Sequence, residues 1–160
     1  MAAVAVLGFV AAALGIAVPA TGGQHAAVDE TQYLLTALSI AEDGDLDISD
    51  ELAFQRWRAF ADEAPPQQTA IRADGRAISP HDPLLPLLLA WPVAVGGWVG
   101  AKVALAGLAG VLAAVMLWTA VRRFGVPVPL AAGGVAIAAF STPLAVYGQQ
   151  LYPELVAALV

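Results

Sequence analysis

From Ala101 to Val121 the chain runs uninterruptedly apolar with Lys102 as its only charge, and it closes on the pair Arg122-Arg123. At about 1.5 Å of helical rise per residue, roughly 20 apolar residues cross a bilayer's hydrocarbon core. The run predicts a transmembrane helix over 101–121, with Lys102 snorkelling at one end and the arginines marking the other. Val126 to Tyr147, after a turn at Phe124-Gly125, predicts a second span, and the apolar stretch 1–20 a third. A cleaved signal peptide is the rival reading of 1–20, because Val18 and Ala20 are small residues placed as at a cleavage site before Thr21. Against it, no Lys or Arg marks an n-region and the stretch is long for a signal core. A composition of 59% hydrophobic and 12% charged residues agrees with a membrane solvent. The expected fold class is all-α, a polytopic membrane protein.

The segment from Leu84 to Val95 is apolar too, but Pro86, Pro92 and Gly96-Gly97 interrupt its surroundings. It reads as a helix over 84–95 lying at the interface or only partly inserted, with Trp91 and Trp98 as belt residues. The short Arg122-Arg123 loop should be cytoplasmic by the positive-inside bias. Counting back puts the N-terminus inside and residues 21–100 outside as an extracytoplasmic loop. Residues 148–160 form an extracytoplasmic turn and the start of a further helix in LYPELVAALV, as expected of the N-terminal portion of a longer protein.

Of thirteen acids, all except Glu154 fall between Asp29 and Asp82, and none lies inside an apolar run. Asp29 is placed to cap a helix over about 29–42, with Gln32 completing a capping box and Val28 stapling to Tyr33. Leu34, Ala37, Leu38 and Ala41 continue its apolar face, and Asp43-Gly44 ends it. Ser49 is positioned to cap a second helix, about 50–64, with Ala53, Trp57, Phe60, Ala61 and Ala64 as its stripe. The segment 71–78, centred on Asp74-Gly75, has the pattern of a hairpin. Asp43, Asp45 and Asp47 open like a calcium loop, yet Ile48 stands where the turn glycine belongs and Phe54 where the bidentate Glu belongs, so a solvated acidic turn is expected. Gly107 and Gly110 predict close helix packing.

Several classes are excluded. Seven basic residues at a net charge of -6 supply no nucleic-acid surface. No cysteine is present, and with two histidines a zinc site on Cys and His is disfavoured, while coordination of a divalent cation by carboxylates stays open. No phosphate loop or nucleophile elbow occurs, and the pattern demands no organic cofactor.

The order of parts resembles the N-terminal third of GT-C-class membrane glycosyltransferases, the aminoarabinose transferases and protein O-mannosyltransferases among them. The resemblance lies in Asp29-Glu30 with Tyr33 after the first apolar segment, the Gly44-Asp45 turn, the HDPLLPLLLAWP segment and Arg122-Arg123-Phe124-Gly125. It implies a GT-C-like helical bundle in a bacterial plasma membrane that transfers a sugar from a polyprenyl-phosphate donor to a glycan, lipid or protein acceptor on the extracytoplasmic face. Asp29 would be the general base, or a metal-assisted acid, with Glu30 beside it and Glu154 as a second acid at the same face. Tyr33, Arg72, Arg76, His81 and Lys102 would contact substrate, the cations among them meeting the donor phosphate. A non-enzymatic polytopic protein, such as a transporter or assembly subunit, is the alternative. Its midplane ionisable groups are missing here.

Overall fold

The computed structural model describes residues 1–20, 23–26, 28–66, 68 and 70–160, the side chain of Ala70 excepted. Thr21, where the alternative cleavage would fall, lies outside the described residues. The elements are α1 (Ala2–Ala13), α2 (Asp29–Glu42), α3 (Ser49–Ala53), a 3-10 turn (Arg56–Ala59), β1 (Ala70–Ile71), β2 (Ala77–Ile78), α4 (Leu84–Phe124), α5 (Val128–Ala139), α6 (Leu144–Tyr147) and α7 (Glu154–Ala157). Among the described residues helix makes up 63% and strand almost none, so the fold class is all-α. It divides into two units: residues 1–16, 102–150 and 154–160 form the first, and 17–101 with 151–153 the second.

Among the described residues, α4 alone is long and apolar enough to cross a membrane. It consists of two helical stretches, 84–96 and 98–124, that meet at a kink on Gly97 (φ 56°, ψ -147°), so the break expected at Gly96-Gly97 is there, and the second stretch starts a little before the expected 101–121. Pro92 lies inside the first stretch without ending it, whereas the glycine pair does end it: Gly97 takes a positive φ outside helical geometry, and a second helix starts beyond it. Gly100 belongs to the same device: a Cβ there would collide with the carbonyl oxygen of Pro92.

The other apolar runs give shorter helices than the sequence predicts. α1 has 12 residues, not the expected span 1–20, and winds down through the tighter bonds Gly15 N–H to Ala12 O and Ile16 N–H to Ala13 O. α5 also has 12 residues, and the expected span 126–147 is broken before Pro143, which has no N–H to continue the ladder and keeps its predecessor out of helical geometry. Ser141 Oγ donates to Ile137 O at 2.6 Å across the frayed end.

In the first unit, α1 crosses α4 at small residues. A Cβ on Gly8 would lie 2.8 Å from Ala113 Cβ, and one on Gly110 would lie 2.7 Å from the Ala5 carbonyl oxygen. Ala113 and Leu117 continue this contact into a core with Ala131 and Val135. Gly107, which the sequence pairs with Gly110, has open space around its Cβ position. Two substitutions therefore have opposite expected signs in thermal unfolding of the detergent-solubilised chain. Gly110→Val should destabilise by about 1–3 kcal/mol through overpacking against backbone, whereas Gly107→Ala should stabilise by about 0.5–1 kcal/mol through helix propensity.

The second unit is arranged around α2, which is buried on all sides from Glu30 to Ser39. The sequence predicts an amphipathic helix; the structure instead leaves it no solvent face, in a unit whose other buried residues include Ile48, Trp57, Phe60, Ala77, Leu85 and Leu89. Two of its buried hydroxyls find partners: Thr36 Oγ1 donates to Gln32 O at 2.9 Å, and Ser39 Oγ lies 3.0 to 3.1 Å from Asp45 O, Asp45 Oδ1 and Asp47 O. The expected helix 50–64 is cut at Gln55, whose left-handed backbone (φ 55°, ψ 38°) turns the chain. That turn lets Trp57, Phe60 and Ala61 reach the core together, while Ala53 and Ala64 stay exposed. β1 and β2 pair antiparallel with Ala70 opposite Ile78 and Ile71 opposite Ala77. The hairpin is held to the acidic turn by Ala77 N–H donating to Asp47 Oδ1 at 2.9 Å and Ile48 N–H to Ala77 O at 2.9 Å. Partial desolvation pushes the Asp47 carboxyl up, but the N–H bonds from Ala77 and Ser49 outweigh it and hold the group below the usual carboxylate range.

Candidate functional site

α2 begins on a strained residue. Its N-cap is Val28, exposed and held at φ 51°, ψ -113°, where a β-branched side chain is crowded. Asp29 is therefore the first helical residue and not the cap the sequence predicts, and no side chain caps the helix. Gln32, expected to close a capping box, instead sends its amide to Pro66 O at 3.4 Å. The Asp29 carboxylate is thus left for other partners.

Those partners come from two distant loops. Gln68 Nε2 donates to Asp29 Oδ1 at 2.8 Å, and Gln68 Oε1 stands 2.9 Å from His81 Nε2. An amide oxygen can only accept, so His81 Nε2 carries the proton in this arrangement and Nδ1 is the acceptor of the neutral ring. His81 Nε2 also lies 3.7 Å from Asp29 Oδ1, and the two side chains keep 20% and 32% of their surface exposed. One helical turn on from Asp29, Tyr33 is buried with its ring centroid 4.9 Å from that of His81, tilted by 36°. The His81 loop is set by its neighbours: Asp82 Oδ1 accepts the N–H of Leu84 at 2.8 Å, fixing the start of α4, and His81 N–H reaches Ser79 Oγ at 3.4 Å.

Asp29, Tyr33 and His81, three residues singled out from the sequence, therefore meet, and Gln68 joins them. Gln68 had no sequence signal, being one amide in a proline-led polar loop. Glu30 does something different. It is 3% exposed, and its Oε1 accepts the Leu151 N–H at 2.9 Å, which fastens residues 151–153 to the head of α2. Arg72 and Arg76 sit on the exposed hairpin, where Arg76 Nε is 3.7 Å from Asp74 Oδ2, and neither joins the Asp29 cluster. Lys102 is buried in α4 and Glu154 is exposed at the start of α7, both in the first unit.

Chemically, the cluster offers a half-exposed carboxylate and an imidazole whose tautomer is set by a shared amide. A carboxylate can take a proton from a bound hydroxyl or amine, and the imidazole can hold or return one. Among the described residues, Asp29 Oδ2 carries no hydrogen bond and remains open to such an acceptor. Comparison with protein-family models, with curated proteins and with solved structures gives no match, so the chemistry of this site is read from its own residues.

Proposed function

We propose that the chain carries the acid–base site of a GT-C-type membrane glycosyltransferase. In this reading it is a multi-pass protein of a bacterial plasma membrane, with its N-terminus cytoplasmic and its acidic second unit extracytoplasmic. The observation that carries the proposal is the meeting of Asp29, Gln68, His81 and Tyr33 at the head of α2. A polyprenyl-phosphate sugar is the donor, and its lipid tail stays in the bilayer. Asp29 takes the proton of the acceptor hydroxyl or amine; the acceptor atom bonds to C1 of the sugar; the C1–oxygen bond breaks with its electron pair leaving on the polyprenyl phosphate. Attack opposite the leaving group inverts C1. His81 and Tyr33 lie beside the carboxylate, and Glu30 is a positioning residue that holds the helix head in place. Arg72 and Arg76 lie apart from this cluster, and with Nε2–H given to Gln68, His81 meets the donor phosphate only when Nδ1 also carries a proton.

The test is transfer of label from a radiolabelled polyprenyl-phosphate sugar panel to membrane acceptors by membranes containing the native protein. Transfer above that of membranes lacking it is expected; none with any hexosyl or pentosyl donor overturns the reading. Orientation has its own check, helped by the absence of cysteine. In single-cysteine variants, Ala64→Cys should react with an impermeant maleimide from outside intact cells, and Arg123→Cys only after lysis. The reverse pattern would invert the topology and remove Asp29 from the extracytoplasmic face.

A further inference from the structure

At the C-terminal end of α2, away from Asp29, lies a carboxylate with nothing to bind. Glu51 is 1% exposed, and both of its carboxylate oxygens are buried without a hydrogen-bond partner. Buried ionised oxygens without partners are costly, and in native folds they call for an explanation. Oxygens from Asp43 and Asp50 converge on it, so that one ligand atom from each of the three acids lies within 4.8 Å of the other two. None of the three forms an ion pair among the described residues. Arg56 feels the charge of Glu51 and Asp50, but both arms of its guanidinium are committed to Glu42 at 2.7 Å.

We propose that Asp43, Asp50 and Glu51 bind one hard divalent cation of the calcium type. Calcium–oxygen bonds of about 2.4 Å set the widest ligand separation across the ion near twice that length, so three oxygens all within 4.8 Å of one another can share one ion. An all-carboxylate donor set selects a hard ion over zinc or copper. Asp43 and Asp50 are exposed, which leaves an outer face for the waters that complete a calcium shell. Irregular placement of the donors, one from a turn and two adjacent on the short α3, suits calcium better than the strict octahedron of magnesium. The site is not the D-x-D-x-D loop suggested by the sequence. Asp45 and Asp47 are engaged with Ser39, Ser49 and backbone N–H groups, so only the first acid of that run is used, together with two that lie beyond it. The bound ion would pin the end of α2 to α3. The assignment stands on these carboxylates and is independent of the role of Asp29.

Calorimetric titration of the purified full chain in detergent at neutral pH should show one saturable calcium site, with Kd between about 10 µM and 1 mM and magnesium at least about tenfold weaker. Calcium should also raise the unfolding midpoint. Glu51→Gln and, as a surface variant that leaves the core untouched, Asp43→Asn should each weaken binding at least about tenfold, whereas Glu63→Gln, an exposed acid outside the cluster, should bind like the parent. Three results would overturn the assignment: no saturable binding up to about 10 mM calcium, binding that survives both Glu51→Gln and Asp43→Asn, or magnesium binding as tight as calcium.

Discussion

Exchanging Asp29 for Asn is expected to lower sugar transfer by about 10^2- to 10^4-fold, the range a positioned general base contributes. Asn keeps the oxygen that accepts the Gln68 amide and the size of the side chain, so the helix start should survive. Loss of one negative charge from the first turn of α2 should cost no more than about 1 kcal/mol of stability. The variant therefore separates chemistry from folding: expression and unfolding midpoint hold while kcat falls. Gln68→Ala gives the graded control. It removes the amide that selects the His81 tautomer but leaves the carboxylate, so it should cost less than Asp29→Asn and shift the pH profile of transfer. Undiminished transfer by Asp29→Asn would take this carboxylate out of the mechanism, whatever the sugar and acceptor prove to be.

Local signals carried some of this site and long-range ones did not. Tyr33, Leu34, Ala37 and Leu38 recur at helical spacing, and Asp74-Gly75 is a strong turn pair, so α2 and the hairpin are legible in the sequence. The same window offered Asp29 a ready explanation as a cap with Gln32, yet Val28 takes the cap position in a strained conformation and Gln32 turns to Pro66. Tertiary partners overrode local preference there. The association of Asp29 with His81 spans more than fifty residues, and nothing in either neighbourhood encodes it. Gln68 was invisible for the same reason. Helix lengths failed differently: apolar composition predicts that a run is helical but not where it stops, and glycine, serine and proline near residues 15 and 141–143 shortened α1 and α5. Burial around the whole circumference of α2 was also illegible, because Thr36 and Ser39 look like a solvent face until Thr36 bonds back to Gln32 O and Ser39 meets the turn at 45–47.

Held in chelator, the chain should become less stable as pH rises from about 4.5 to about 8, the reverse of what paired surface carboxylates produce. Glu51 is the cause. Burial, then the closeness of Asp50 and Asp43, raises its carboxyl from 4.5 to about 8, with Arg56 on the 3-10 turn too committed to Glu42 to offset them. In the unfolded chain the group gives up its proton near 4.5, whereas the folded chain keeps it until about 8. Between those values the folded state binds more protons, so its stability is greatest at the acid end and declines by up to about 1.4 kcal/mol per pH unit, on the order of 4 kcal/mol in all. Glu42 and Asp47 act with the opposite sign. Their folded values are lowered, by the Arg56 hydrogen bond and by backbone N–H groups respectively, so their contributions are lost only on acidification below the ordinary carboxylate range, outside this window. Urea unfolding across the range, with EDTA present to keep cations out, should show the decline in the parent and a nearly flat line in Glu51→Gln, the two curves parting as pH rises. Parallel curves would mean that Glu51 ionises normally in the fold. The sign matters beyond stability, since a carboxylate that is costly to ionise when alone will bind a proton or a cation, and chelated protein isolates the first of these.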